Sequence, residues 1–473
     1  MGNARKEVLG DVLVLGLGHT GQAVARYLLH LAHDPVSAGR VASVTVAGGA
    51  KSSEGPAAQA LRDAGASVTC GKDEVAGAYD TCVASPGISE FSGFFAQGRA
   101  ASGTVMGEPE LVWRESPERW IAITGTNGKT TTTTLATALL NGAGIDAVSV
   151  GNIGTNLADA LDAGRPDGQW YVAELSSFQL ATTSRLHPRV ACLLNVTPDH
   201  LEWHKTFDNY AAAKERVFAN LDPSDLAVLV VDDPVCARVA DRLEARGLTV
   251  CRVSVTGVPD SACRAYLDGS VLVVDLPGGS HRLADFSAMS IEGPHNAANA
   301  LVASACALFA GASDKRVTEG LLAFAPLEHR IEPVRCLDGV RYVNDSKATN
   351  TDAAVTAVGA FAPGTVVCLV GGHDKGGDLG DFCRAMARSC RAVVAFGEAQ
   401  ARMGGALEDA GVAVTYAPHM AEALEAARDL ARPGDVVLLS PACSSFDEFS
   451  GYEERGRVFK DLVRAMGSEG GDR

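Results

Sequence analysis

Short runs of aliphatic and β-branched residues alternate along the chain with Ala- and Leu-rich stretches at helical spacing. This is the pattern of parallel sheets built from βαβ units, whose strands are buried on both faces and read as continuous apolar runs. Three such blocks are predicted. In residues 1–117 the strands are VLVLG from Val12, SVTVA and DTCVASPG. In 118–326 they are Trp120–Thr124, WYVAELSS and VACLLNVTPDH, with a closing helical stretch near Phe324. In 327–473 they are VRYVNDS, TVVCLVGG, RAVVAFG, VAVTYA and DVVLLSPA. Between Cys251 and Met289 the alternation breaks into short β runs with Gly and Pro, which predicts a small antiparallel insertion. The tail Gly467–Arg473 reads as disordered.

Length agrees with this division: 473 residues at about 150 per domain give roughly three domains. With 41 Lys and Arg against 57 Asp and Glu, the formal charge of −16 argues against a nucleic-acid polymer or an anionic membrane as partner. The 51 glycines exceed the usual ~7% and suit backbone-lined ligand loops. Twelve scattered cysteines without a C-x-x-C pair predict reduced thiols and a cytoplasmic location. The apolar stretch Val8–Leu17 is broken by Gly10, Asp11 and Gly16 and reads as a first strand rather than a signal peptide or membrane span.

Gly16-Leu17-Gly18-His19-Thr20-Gly21 follows that strand and opens the helical stretch Gln22–His30. Glycines there let the backbone approach a phosphate at a helix N-terminus, where the dipole carries roughly half a positive charge. A nicotinamide dinucleotide would also want an acid at the end of the second strand to grip the ribose, yet Val44-Thr45-Val46 runs into Ala47-Gly48-Gly49. That disfavours a dehydrogenase and leaves another phosphate-bearing ligand or a structural turn.

Gly125-Thr126-Asn127-Gly128-Lys129-Thr130 follows Ile121-Ala122-Ile123 and leads into a Thr-rich helix, although Ile123 stands where a six-spaced P-loop has its first glycine. The backbone of such a loop cradles phosphates, its Lys neutralises the β/γ oxygens, and its Thr hydroxyl can ligate Mg²⁺. Nucleotide binding follows. Glu174 and His200 fall at the predicted C-terminal ends of two later strands, where open α/β sheets place their ligand crevice. Each is open to two readings, a Mg²⁺ ligand or a satisfied polar residue. His200-Leu-Glu-Trp-His204 departs from H-E-x-x-H, so a zinc protease is rejected, and Lys214 in AAAKER reads from spacing as a solvated helix lysine. In the third block Asn344–Asn350 (NDSKATN), Gly371–Lys375 (GGHDK) and Ser440–Ser445 (SPACSS) are polar strand ends, each open to two readings, part of a second ligand wall or a structural polar turn.

With GTNGKTT, GNIG from Gly151, ELSSFQL, NVTPDH, AAAKER, GPHNAANA, His329-Arg330, NDSKATN, GGHDKG and SPACSSFDEF…YEERG in this order, the chain resembles the Mur ligase family over nearly its whole length. NDSKATN and SPACSSFDEF point to the branch that adds D-glutamate. GTNGKT is shared with folylpolyglutamate ligases, which the complete GLGHTG block disfavours. The resemblance implies an α/β fold of three domains. These are a Rossmann-like N-terminal domain for the UDP-sugar (1–117), a central P-loop-type ATPase domain with a mainly parallel sheet (118–326), and a C-terminal Rossmann-like domain for the amino acid (327–473). It implies phosphorylation of the substrate carboxylate by ATP, attack of the D-glutamate amine on the acyl phosphate, and expulsion of phosphate. The implied substrates are UDP-N-acetylmuramoyl-L-alanine, D-glutamate and ATP, with two Mg²⁺, no nucleic acid or membrane as partner, and a monomeric state.

Carried over by position, Lys129, Glu174, His200 and Lys214 are the implied catalytic set. Thr130 and Glu174 would hold the first Mg²⁺, and His200 with a carbamylated Lys214 the second. Gly125, Thr126, Asn127, Gly128, Lys129, Thr130, Thr131, Asn299, Arg330 and Asp345 match nucleotide contacts. His19, Thr20, Ser85 and Asn152 match UDP-sugar contacts, and Thr349, Lys375, Ser445 and Tyr452 those near D-glutamate. Carbamylation needs a neutral amine, so the site must depress the Lys214 pKa from about 10.4 by burial or nearby cations. Two departures from the family are Ala47-Gly48-Gly49, where an acid, a hydroxyl and an Arg are frequent and Lys51 or a backbone group must substitute at uracil, and Tyr452 in place of Phe.

Overall fold

The computed structural model describes residues 6–373, 376 and 379–466. Strands β1 (Gly10–Leu15), β2 (Val41–Ala47), β3 (Ser67–Thr69), β4 (Tyr79–Ala84) and β5 (Ser102–Gly107) pair in the order β3-β2-β1-β4-β5, all parallel. The order reverses at β1, whose Leu15 lies opposite both Ala47 and Ala84. The helix His19–His33 leaves from this switch point and buries Ala23, Val24, Ala25 and Leu28 against the sheet. An open α/β sheet puts its ligand crevice there.

A nine-stranded sheet follows. It consists of β6 (Trp120–Thr124), β7 (Ala147–Gly151), β8 (Trp170–Glu174), β9 (Val190–Leu193), β10 (Leu226–Val230), β11 (Thr249–Ser254), β12 (Arg264–Asp268), β13 (Val271–Leu276) and β14 (Gly279–Asp285), in the order β14-β13-β12-β11-β10-β9-β6-β8-β7. Every residue of β6 is buried, as its uninterrupted apolar run requires. The segment expected to form a separate antiparallel insertion instead extends this sheet. β11 and β12 pair in parallel, and only β12–β13 and β13–β14 are antiparallel. The first two sheets share one apolar cluster, in which Leu111 and Val112 pack with Leu157, Ala158 and Leu180.

The third sheet comprises β15 (Glu332–Leu337), β16 (Val340–Asn344), β17 (Val366–Gly371), β18 (Cys390–Phe396), β19 (Val414–Ala417) and β20 (Val436–Ala442), ordered β15-β16-β20-β17-β18-β19. Only β15–β16 is antiparallel. By contact the chain forms two units, one of residues up to Phe286 with Ala298–Leu322, the other of Ser287–Ala297 with residues from Ala323 onward. All twelve cysteines are free thiols. Among the described residues no helix is long and apolar enough to cross a membrane. The tail Gly467–Arg473 lies outside the described residues.

Candidate active site

In the first unit β6 feeds Gly125–Gly128 into the helix Lys129–Gly142. Gly128 has φ +83°, and a Cβ there would lie 2.7 Å from Asn299 Oδ1, so both conformation and space demand glycine. The segment after β9 holds the loop in shape. The Thr126 and Asn127 amides donate to the Asn195 carbonyl (2.9 Å) and Asn195 Oδ1 (2.8 Å), and the Thr197 amide donates to Thr126 Oγ1 (3.0 Å). Tyr210 Oη shares a 2.9 Å hydrogen bond with Thr126 Oγ1. Asn299 Oδ1 accepts from Thr132 Oγ1 at 3.1 Å, which ties the helix Pro294–Phe309 to the start of the loop's own helix. No side chain caps that helix at Gly128, so its N-terminal amides and dipole favour an anion.

Two ammonium groups converge on this loop. Lys129 Nζ donates to the carbonyls of Gly125 (2.9 Å) and Thr126 (2.8 Å), and Lys214 Nζ donates to the same Gly125 carbonyl at 2.7 Å. Lys214 is therefore not the solvated lysine that spacing suggested. It is 2% exposed, on the inward face of the helix Phe207–Glu215, with its ammonium 4.6 Å from the Tyr210 ring centre. Burial, then the Lys129 charge, push its pKa well below the ordinary lysine value.

Glu174 ends β8 opposite Ile123, at the strand that supplies the loop. Its Oε1 accepts from Asn152 Nδ2 at 2.8 Å, while the buried Oε2 has no hydrogen-bond partner. A buried carboxylate oxygen left so is costly unless a cation completes it, and the Thr130 hydroxyl on the first turn of the neighbouring helix adds the hard oxygen chemistry that suits Mg²⁺. Asn152, expected on the UDP-sugar side, is placed at Glu174, with its amide also donating to the Glu174 carbonyl at 2.9 Å. His200 is not at a strand end, because β9 stops at Leu193. It occupies the left-handed region at φ +53°, heading the helix Leu201–His204, with its half-exposed ring 4.7 Å from Phe178. His204 is buried, hydrogen-bonds Ser177 Oγ at 2.9 Å, and is pushed down to about 4 chiefly by burial.

At the switch point of the first sheet, Gly16 (φ +97°) turns the chain into the helix that begins at His19. Ser85 Oγ is buried without a hydrogen-bond partner, and a Cβ on Gly16 or Gly21 would stand 2.9 or 3.0 Å from it. Thr20 Oγ1 accepts from Asn156 Nδ2 at 3.5 Å. His19 and Thr20 thus open the helix, and Ser85 lies against the glycine turn that leads into it. Where β2 runs into Gly48 and Gly49, the nearby carboxylate is Asp73, whose Oδ1 accepts from the Ala50 amide at 2.6 Å.

The second unit carries a polar wall of its own. Asp345, just beyond β16, is buried and accepts from Ser440 Oγ (2.8 Å) and the Ile331 amide (3.2 Å). Burial lifts its carboxyl to about 7 against the opposing pull of those bonds and of the Arg330 charge. Arg330 lies between His329 (φ +63°) and Ile331 (φ +43°), and a β-branched residue at positive φ marks a strained, over-determined segment. Lys347 Nζ stands 3.6 Å from the Tyr452 ring centre, the Thr349 amide donates to the Lys347 carbonyl (2.8 Å), and Ser445 is buried just beyond the end of β20. Lys375 lies outside the described residues. Sequence reasoning gave no individual role to Asn195, Tyr210 or Arg455, polar side chains that hydrogen-bond a motif loop.

A parallel-sheet ATPase loop, a buried carboxylate with an unused oxygen and a second polar wall define the class, and comparison with known proteins agrees. Residues 123–307 match the Mur ligase middle domain and 329–443 the Mur ligase glutamate ligase domain; the chain belongs to the Mur ligase family. It is 37% identical over 460 residues (96% of this chain, 97% of the relative) to the UDP-N-acetylmuramoylalanine--D-glutamate ligase of Pelotomaculum thermopropionicum. It is 39% identical over 465 residues (96% of each) to the enzyme of the same name from Acidobacterium capsulatum. In fold it is similar to the solved UDP-N-acetylmuramate-alanine ligase of Thermotoga maritima (TM-score 0.55, 18% identity, 96% of this chain and 99% of that one). The same holds for a pseudomurein peptide ligase type C from Methanothermus fervidus (TM-score 0.59, 14% identity, 96% and 99%).

Proposed function

We infer that this chain is an ATP-dependent ligase that joins D-glutamate to UDP-N-acetylmuramoyl-L-alanine in peptidoglycan precursor synthesis, working as a monomer in the cytoplasm. The observation that carries the reading is the pair of ammonium groups on the Gly125 carbonyl beside the strand that ends in Glu174 with its unpartnered Oε2. We assign 1–117 to the UDP-sugar, 118–326 to ATP and 327–473 to D-glutamate.

Phosphoryl transfer between two anions needs alignment and charge neutralisation more than covalent help. Lys129, at the start of its helix, exchanges the Gly125 and Thr126 carbonyls for the β/γ oxygens of ATP, which the Gly125–Thr131 amides and hydroxyls orient. Asn299 supports the loop, and Arg330 and Asp345 serve the nucleoside side. Thr130 and Glu174 are the residues that would hold one Mg²⁺, and His200 with Lys214 a second; bound there, the ions neutralise the transferring phosphate. Burial and the neighbouring Lys129 charge lower the Lys214 pKa, which favours the neutral amine that carbamylation consumes. The L-alanyl carboxylate oxygen bonds the γ-phosphorus as the bond to ADP breaks. The D-glutamate amine then adds to the acyl carbon, phosphate leaves with the bridging oxygen, and the amine gives up a proton. His19, Thr20, Ser85 and Asn152 serve the UDP-sugar, and Thr349, Lys375, Ser445 and Tyr452 serve D-glutamate.

The test follows the oxygen. Heavy-oxygen label placed in the L-alanyl carboxylate should appear in the released phosphate during turnover with D-glutamate; amide formation without that transfer would contradict the acyl-phosphate route.

A further inference from the structure

Arg455 is the largest charged side chain fully buried in the second unit, on the first turn of the helix Tyr452–Ala465. Its guanidinium spends its donors on the loops that end the third sheet. Nε donates to Ser346 Oγ (3.0 Å), Nη2 to the Ser346 carbonyl (2.8 Å) and the Cys443 carbonyl (3.1 Å), and Nη1 to the carbonyls of Cys443 (3.1 Å) and Ser444 (3.4 Å). The third loop end closes on the same group. A Cβ on Gly372, at φ +126°, would lie 2.2 Å from the Ser444 carbonyl and 3.1 Å from Arg455 Nη1. Ser346 Oγ in turn donates to the Tyr452 carbonyl at 2.8 Å, which fastens the helix start to the same knot.

We propose that Arg455 is a positioning residue for the amino-acid half of the reaction, its guanidinium fixing the spacing of the Asn344–Asn350, Gly371–Gly372 and Ser440–Ser445 loop ends on which D-glutamate docks. This rests on the reading of that wall as the D-glutamate site. The argument is geometric. Three backbone carbonyls and one hydroxyl from two loops meet a rigid planar fork, so neither can shift without breaking a charge-assisted bond, and a third loop is tied to them by the His373 amide donating to the Ser444 carbonyl (2.8 Å) where only glycine fits at 372. Burial costs the cation, holding its pKa down to about 10, and the site sustains that cost with bonds to loop backbone. Arg455 touches no substrate. It acts through Ser346, Ser444 and their neighbours.

Arg455→Met and Arg455→Lys, assayed for each substrate separately, test this. Misplaced reacting groups cost of the order of 10²-fold. The expected result is a rise of about 10-fold or more in KM for D-glutamate in Arg455→Met, with KM for ATP within about threefold and Arg455→Lys between the two, since an ammonium keeps the charge and loses the fork. Hydroxamate formed from UDP-N-acetylmuramoyl-L-alanine, ATP and hydroxylamine without D-glutamate reports the first half-reaction and should be retained. An unchanged KM for D-glutamate, or a rise in step with KM for ATP and loss of hydroxamate, would overturn the proposal. If Arg455→Met does not fold, the same split in Arg455→Lys decides. Wild-type protein indifferent to D-glutamate would instead refute the functional reading itself.

Discussion

The nucleotide loop of the first unit and the Arg455 knot of the second each hold a buried cation against backbone carbonyls, yet they leave opposite things undone. At the loop, two lysines share the Gly125 carbonyl and one Glu174 oxygen has no donor. Two lysine side chains crowd one carbonyl beside a carboxylate oxygen that has no donor, so an anionic ligand with its own cations lowers the energy of the site. At the knot, the guanidinium meets carbonyls and a hydroxyl along its fork, and the loops are set before a ligand arrives. One region is built to be completed by charge, the other to present a fixed shape. The first suits phosphoryl transfer and the second recognition of an amino acid.

The sharpest way to break this contrast is to remove charge from the loop. Lys129→Ala should lower kcat by about 10³-fold, the scale of losing a preorganised transition-state contact, as measured by phosphate release under saturating substrates. Near-normal turnover would remove Lys129 from the chemistry. Lys214→Ala should lose about 10²-fold in kcat and recover in part when a short carboxylate such as acetate is added, the signature of a missing carbamate. Failure of rescue across acetate, propionate and formate would leave Lys214 a structural cation. Glu174→Gln should raise the Mg²⁺ concentration for half-maximal rate by about 10–100-fold, read from a Mg²⁺ titration at fixed ATP.

The smallest effect concerns Glu108, buried where β5 passes into its helix, whose Oε1 accepts from the Ala158 amide at 2.9 Å. Burial lifts its carboxyl from 4.5 to about 7. The native state therefore keeps a proton that the unfolded chain releases, and stability is lost as pH rises from 4.5 through 7. Glu108→Gln keeps an acceptor for Ala158 and removes this loss. Thermal melts should show it more stable than wild type by about 1–3 kcal/mol near pH 8 and little changed near pH 5.

The three blocks were legible because parallel strands buried on both faces are apolar throughout, as in Trp120–Thr124. β15 escaped because an edge strand with Pro333 and Arg335 and a half-exposed pattern carries no such run. The Cys251–Met289 region was read as a separate antiparallel insertion; its β12–β13 and β13–β14 pairs are antiparallel, but β12 joins β11 in parallel and extends the sheet, because long-range strand pairing decides whether such strands stand apart. Motif glycines and the loop lysine were visible from their own residue types. The burial of Lys214 was hidden by the run Ala211-Ala212-Ala213, which does not reveal which face of the helix turns inward, and Arg455 sits on a helix rich in charged residues that looks exposed throughout. His200 was misplaced because β9 stops at Leu193 although the chain goes on with buried Leu194 and Val196, which read as more strand.

The most direct measurement is phosphate release by the purified protein with ATP, Mg²⁺ and UDP-N-acetylmuramoyl-L-alanine, run side by side with D-glutamate, L-glutamate and D-aspartate. Release that depends on the UDP-sugar and is strongest with D-glutamate is the predicted result. No release with D-glutamate, or equal release with all three amino acids, would contradict the account.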